Sequence, residues 1–295
     1  MNPFTHPAPA LVEGPGGLPM LDVSNPLGRA RISLQGAQVL EFQPTGGPDL
    51  LFVSPKAVFA PGQPIRGGVP VCWPWFGPDP LGLGRPMHGL ARTRPWALRS
   101  SAPTPDGGTQ VVLGLVDDAA TRALWPHAFD LELAVSVGRH LRLALTTRNT
   151  GNTPLSITQA LHSYLAVGDI AEVEVLGLDG CSYIDKVAGP GAPRPRQVGP
   201  VRFTGEVDRV YQAVPAELVV RDHAGARRVE LRSEGSRTAV VWNAGADKAA
   251  TIADLGAPAH RGYVCVETAN AGDEVIALPP GAQHRMAVAL SAAAD

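Results

Sequence analysis

Four separated segments of the chain pair a rare polar or ionisable residue with glycines or aromatics. They are Ile65-Arg66-Gly67-Gly68-Val69-Pro70-Val71-Cys72-Trp73-Pro74-Trp75-Phe76-Gly77-Pro78, His88-Gly89-Leu90-Ala91-Arg92, Gln159-Ala160-Leu161-His162-Ser163-Tyr164 and Cys265-Val266-Glu267-Thr268-Ala269-Asn270. Together they supply two arginines, two histidines and a carboxylate. A histidine and a carboxylate can give and take protons near neutral pH, and a guanidinium fork fits an anion. The inventory suits proton transfer on an anionic, ring-shaped substrate.

Each candidate has a plainer alternative. On a strand, His162 shares a face with Thr158, Ala160 and Tyr164, and Glu267 shares one with Tyr263 and Cys265, neither of which resembles a charged outer surface. His162 could equally be a hydrogen-bonded core histidine and Glu267 a buried ion-pair partner. If the two meet, the carboxylate should raise the imidazole pKa and lower its own. Arg66 precedes Gly67-Gly68, where missing side chains would let a ligand reach the backbone. Almost all basic residues here are arginine, Lys56, Lys186 and Lys248 being the only lysines, so structural ion pairing is a real alternative for Arg66 and Arg92. Trp73, Trp75, Phe76 and Trp242 could form a stacking wall or simply pack in the core.

The elements that must position these residues read mainly as strands. Leu131, Leu133, Val135 and Val137 alternate with polar or small neighbours, and after Gly138-Arg139 the pattern resumes at Leu141, Leu143 and Leu145. This predicts a hairpin with one buried face. Further strands are predicted over 29–34, 39–43, 109–115, 155–165, 173–178, 218–221, 228–233, 238–242, 262–268 and 284–290. Asp117 and Asp118 can cap a short helix through Leu124 that Pro126 ends, and another is predicted from Asp247 through Ile252. Residues 188–200, rich in Gly, Pro and Arg, read as an exposed loop. Many short strands between Gly and Pro turns indicate an all-β antiparallel sandwich or barrel. No internal repeat divides residues 1–295, so one domain is expected, with residues 1–17 loosely ordered.

Composition narrows the partners. With 25 Lys+Arg against 27 Asp+Glu, a net charge of −2 gives no global attraction for nucleic acid or anionic membranes. Cys72, Cys181 and Cys265 are odd in number and widely spaced, which argues against a disulfide framework or structural zinc and fits a reducing cytoplasm. Residues 1–17 have neither a basic start nor a continuous apolar stretch, so neither a secretory signal nor a membrane span is expected there. Gly82-Leu83-Gly84 lacks the third glycine and context of a dinucleotide loop, and there is no phosphate-loop lysine, His-Glu-x-x-His or Gly-x-Ser-x-Gly. No cofactor and no metal are expected.

The four motifs together resemble the glucose-6-phosphate 1-epimerase branch of the aldose 1-epimerase family, over residues from about 20 to 290. The resemblance implies a β-supersandwich of the galactose-mutarotase type, with the sugar bound in a cleft on one sheet. It implies Glu267 as general base at the O1 hydroxyl and His162 as general acid at the ring oxygen, the two exchanging roles as the opened sugar closes on its other carbonyl face. Arg66 and Arg92 correspond to the residues of phosphate-specific members. His88 corresponds to a partner for a sugar hydroxyl, and Asp208 to a hydroxyl-accepting acid, with an ion pair to a nearby arginine as its alternative. The implied partner is a sugar phosphate substrate, the implied reaction needs no cofactor, and the chain is expected to act as a monomer. An epimerase for unphosphorylated sugars, or a carbohydrate-binding regulator on the same fold, are the competing readings. Leu90 replaces the family's Phe, Met87 stands where some relatives carry a polar residue, and Ala244-Gly245 replaces Pro-Trp after Trp242-Asn243. These departures bear on pocket shape and sugar preference more than on reaction type.

Overall fold

The structure, a computed structural model, describes residues 8–294. Two large antiparallel sheets face each other across the main core. The eight-stranded sheet runs, edge to edge, through the strands Val173–Leu176, Glu217–Asp222, Arg227–Glu234, Gln283–Ala294, Leu141–Asn149, Phe129–Val137, Thr109–Val116 and Ala97–Pro103. Its hairpin Phe129–Val137/Leu141–Asn149 pairs Leu133 with Leu145 and Val135 with Leu143. Alternate residues of Phe129–Val137 are buried, as the period-two pattern predicts. Its inward side chains meet those of a seven-stranded sheet, with Leu113, Leu131 and Leu143 from one side and Val71, Val241 and Val266 from the other in one apolar cluster. Each such fully buried side chain contributes about 1.5–3 kcal/mol of hydrophobic stabilisation before entropy is counted.

The seven-stranded sheet positions the site. Its order is Tyr183–Asp185, Val207–Gln212, Thr238–Asn243, Tyr263–Asn270, Gln159–Leu161 and Val71–Cys72, with Tyr164–Ala166 also pairing to Tyr263–Asn270. Every residue of Tyr263–Asn270 is buried, because its even-numbered side chains Val264 and Val266 enter the main core while Tyr263, Cys265 and Ala269 enter smaller clusters on the opposite face. A four-stranded sheet, Ala10–Glu13 through Gln38–Pro44, and a two-stranded pair, Leu155–Ile157 with Ile276–Leu278, complete the sheets. The helices are short: Ala119–Leu124, capped by Asp118 as expected, and Gly245–Thr251. The 188–200 segment contains no strand or helix.

Two expectations need correction. Residues 10–17 are not loose: Ala10–Glu13 is an edge strand on Pro19–Asn25, and Val12 packs with buried Leu18, Met20, Leu40 and Ile65. The first seven residues of that expected segment lie outside the described residues. The single strand expected over 155–165 is three, because the chain changes partners along it. Leu155–Ile157 pairs outside the large sheet, Thr158 bonds to Pro74 and Phe76, and the His162 amide donates to the Pro70 carbonyl at 3.0 Å.

Candidate active site

Gln159–Leu161 and Tyr164–Ala166 share one register against Tyr263–Asn270, with Leu161 opposite Thr268 and Tyr164 opposite Cys265. Carried through the gap, that register sets His162 opposite Glu267, although the ladder opens there and the Val266 amide donates to the Ser163 carbonyl at 3.2 Å. Directly opposed side chains on one sheet face come into contact. Nε2 of His162 lies 3.3 Å from Oε1 of Glu267. The two residues are 7 % and 2 % exposed, and Nδ1 of His162 and Oε2 of Glu267 have no hydrogen-bond partner among the described residues. Unpartnered buried polar atoms carry a desolvation cost that a ligand hydroxyl can relieve.

The next row of the same face contains Asp208, Trp242, Cys265 and Tyr164, in register across four strands. Tyr164 lies flat on the His162 ring, with centroids 4.8 Å apart and planes 7° from parallel, while Trp242 meets His162 edge-on at 6.1 Å. Asp208 makes no ion pair with an arginine among the described residues; the neighbouring Arg209 turns to the other face, over Tyr183. Burial, reinforced by Glu206 and Asp185, pushes the Asp208 carboxyl up to about 6 against the pull of Lys186 and Lys248.

His88 approaches from the loop between the Trp73 motif and Arg92. Its φ of 64° is left-handed, and Gly89 follows at 79° with its Cα so close to the Trp73 carbonyl that a Cβ would sit 2.0 Å from that oxygen. The Gly77 amide donates to Nδ1 of His88 at 3.2 Å, which leaves the proton of the neutral ring on Nε2 as a donor. Burial, with the charges of Arg92 and Arg66, pushes this histidine down to about 3. The His88 and His162 rings are 5.8 Å apart.

The two arginines differ. Arg66 is held by Asp254, through Nε at 3.2 Å and Nη2 at 3.0 Å, and its Nη1 donates to the Tyr164 hydroxyl at 3.2 Å. Burial opposes its charge, but Tyr164 and Asp254 outweigh that and raise its pKa. Arg92 donates to the Met87 carbonyl at 2.8 Å and has no carboxylate partner among the described residues. Its positive charge nonetheless acts on His88, His162 and Glu267.

The electrostatics reverse one expectation. Burial, then His88, Arg92 and Arg66, push the His162 imidazole down, and burial with Asp208 pushes the Glu267 carboxyl up. Burial dominates because each charged form would first have to lose its water. The glycines after Arg66 are also corrected. A Cβ on Gly67 would meet Val53 Cα at 2.4 Å and one on Gly68 the Val39 carbonyl at 2.2 Å, so the close approach they permit is by neighbouring backbone and not by a ligand. Of the aromatic wall, Trp73 is core, donating to Thr147 Oγ1 at 3.0 Å and packing on Trp125 and Phe129. Trp75 is 3 % exposed and covered by Arg85, which leaves Phe76 and Trp242 partly open on the site side.

Two residues that carry this arrangement had no role assigned from sequence. Tyr164 was legible, two residues from His162 and so on its face; Asp254, 188 residues from Arg66, gave no signal. Among the described residues no group of three or more His, Cys, Asp or Glu side chains is placed to hold a metal ion, and no helix is long and apolar enough to cross a membrane. A cavity of about 270 Å³ lined by Met20, Leu40, Asp49 and Phe59 includes none of the site residues.

Comparison with known proteins finds matches in both sequence and fold. A protein of Cenchrus ciliaris named "Putative glucose-6-phosphate 1-epimerase" is 37% identical over 272 residues, covering 89% of this chain and 81% of its own length. Proteins of that name from Salmonella typhimurium and Escherichia coli are 37% and 36% identical, over 85% and 87% of this chain and 83% and 84% of theirs. A crystal structure of a "putative mutarotase" from Salmonella typhimurium superposes with a TM-score of 0.87 at 32% identity, covering 97% of both chains. At 12% identity and a TM-score of 0.73, a galactose mutarotase related enzyme from Lactobacillus acidophilus, matched over 93% of this chain and 97% of its own, shares the fold alone. The all-β architecture is the galactose-mutarotase supersandwich expected from the motifs. Since the sequence model of the family described as Aldose 1-epimerase matches residues 19–291, spanning all four motifs and both large sheets, the chain belongs to that family.

Proposed function

We propose that the protein interconverts the α and β anomers of a hexose 6-phosphate, with glucose 6-phosphate the foremost substrate, by acid and base catalysed opening and closing of the ring. The observation that carries this reading is the buried contact of His162 with Glu267, 3.3 Å apart, within reach of the charges of Arg66 and Arg92. Glu267 takes the proton of the O1 hydroxyl while His162 gives one to the ring oxygen. The C1–O5 bond breaks, the aldehyde turns about C1–C2, and closure runs the two transfers in reverse. His88, a donor through Nε2, and Asp208, an acceptor when ionised, fit sugar hydroxyls.

Phosphate has a second effect in this scheme. Arg92 and Arg66 are among the charges that hold His162 neutral. A dianion bound on the arginines offsets them, which favours the imidazolium needed as acid. The Arg66–Asp254 ion pair is the one observation that favours the competing reading, an epimerase for unphosphorylated sugars. Arg92, without a carboxylate partner among the described residues, favours the phosphate.

The test is to add the protein to freshly dissolved α-glucose 6-phosphate and follow the anomeric proton signals. Exchange well above the buffer rate supports the proposal; exchange at the buffer rate with folded protein refutes it and leaves a carbohydrate-binding role. Faster turnover of glucose or galactose than of glucose 6-phosphate would transfer the reading to free sugars.

A further inference from the structure

Three groups lock together around one tyrosine. The Tyr164 hydroxyl accepts from Arg66 Nη1 at 3.2 Å, and its ring lies on that of His162 with planes only 7° from parallel. Trp242 meets both rings edge-on, at 6.0 Å from Tyr164 and 6.1 Å from His162. The tyrosine is itself 2 % exposed, and its backbone is pinned twice, by the Tyr164 amide to the Gly68 carbonyl at 2.9 Å and the Phe52 amide to the Tyr164 carbonyl at 3.0 Å. A side chain in this setting has little rotamer freedom, so whatever it touches inherits its position.

The donors of Arg66 are used unevenly. Of the five N–H groups of a guanidinium, Nε and one hydrogen of Nη2 go to Asp254 and one hydrogen of Nη1 goes to Tyr164. One hydrogen on each terminal nitrogen is left over, enough for two bonds to an oxyanion. The ion pair with Asp254 therefore orients the fork without exhausting it.

We propose that Tyr164 is a positioning residue that fixes the Arg66 guanidinium and the His162 imidazole to one rigid plate, so that a phosphate held on Arg66 sets the sugar ring at a fixed distance from the His162 imidazole. This rests on the reading that Arg66 holds the substrate phosphate. The hydroxyl of Tyr164 then governs recognition of the phosphate, and its ring governs the aim of the imidazole. The division gives a hexose 6-phosphate an advantage beyond affinity, since the phosphate is the handle that aligns the reacting atoms.

The two roles separate in Y164F and Y164L, compared with R66A by anomeric exchange on glucose 6-phosphate and on glucose. Y164F keeps the stacked ring and should raise the KM for glucose 6-phosphate about 5- to 10-fold, lowering the ratio of kcat/KM for glucose 6-phosphate to that for glucose. Y164L should lower kcat on both substrates by about tenfold or more, because a misaimed acid is a poor one, and should move the ¹⁵N signals of His162. A Y164F enzyme with unchanged KM, where R66A raises it, overturns the role of Tyr164 and leaves the phosphate reading standing. An R66A enzyme with unchanged KM removes Arg66 as the holder of the phosphate and this proposal with it. Should Y164L fail the circular dichroism check for folding, Y164F titrated with inorganic phosphate decides: phosphate should move the His162 nitrogens in wild type and much less in the variant, and equal shifts in the two overturn the proposal.

Discussion

His162 Nε2 and Glu267 Oε1 lie 3.3 Å apart because the two residues oppose each other on neighbouring strands. The separation is set by the register of the strand segments on either side of His162, which continue the same pairing across the gap. Both side chains also leave one polar atom without a partner among the described residues, so each has an atom to offer a sugar oxygen.

Removing either member of the pair should therefore cost most of the rate. His162→Ala and Glu267→Gln are each expected to slow anomeric exchange of glucose 6-phosphate about 100-fold or more, the usual scale for loss of a general acid or base. The double variant should lose little beyond that, since the two act as a unit. Anomeric exchange spectroscopy on folded variants measures this, and near-normal turnover in either single variant would remove that residue from the mechanism.

Removal of Arg92, which has no carboxylate partner among the described residues, should cost activity on phosphorylated substrate alone. Arg92→Ala is expected to lower kcat/KM for glucose 6-phosphate about tenfold to a hundredfold, as a charge-assisted hydrogen bond is worth about 1.5–3 kcal/mol. The value for glucose should not fall, and a modest rise would reflect release of the charge that helps hold His162 neutral. Both are to be compared at matched ionic strength, since salt screens the attraction; equal losses on the two substrates would contradict a phosphate contact.

The buried His88 should make the protein sensitive to mild acid. Its folded pKa, about 3, lies below the ordinary 6.5, so the unfolded chain binds a proton in the interval where the folded chain does not. Stability is intact above the ordinary value and falls as the pH drops from there towards the folded value, by up to about 1.4 kcal/mol per pH unit. His88→Asn has no such proton, tolerates a positive φ and can still accept from Gly77. Urea midpoints at pH 7 and in mild acid should show wild type losing more stability than the variant; parallel curves would contradict the assignment.

Trp73 tests the division between core and site. Thr147→Val removes the acceptor of its indole N–H, both residues being fully buried, and should destabilise the protein by about 1–3 kcal/mol while kcat stays within about twofold. Equilibrium unfolding and the exchange assay on one preparation measure both. A large loss of activity without a change in midpoint would place Trp73 in the site instead of the core.

Sequence reasoning located elements where one face is buried and one is not. The strand around Leu133 alternates clearly, and both it and the strand around Leu143 lie as expected. Ala97–Pro103 is exposed along its whole length, so no alternation marks it, and Val207–Gln212 buries Val207, Val210 and Tyr211 without a regular period. Within the site, the motif residues pointed to one another through their types, while their environments were hidden. The depth of burial that pushes His162 down and Glu267 up depends on strands far apart in sequence. At Gly67 and Gly68 a ligand was expected to approach, but what approaches them, Val53 and Val39, is fixed only by the fold.

The strand Tyr263–Asn270 sends Val264 and Val266 into the main core and Cys265 and Glu267 onto the opposite face. Chemistry and folding are thus written on alternate residues of one ladder. The reacting groups cannot come apart by fraying of a surface segment while the body of the protein survives. On heating, loss of activity and collapse of the β signal should be a single event.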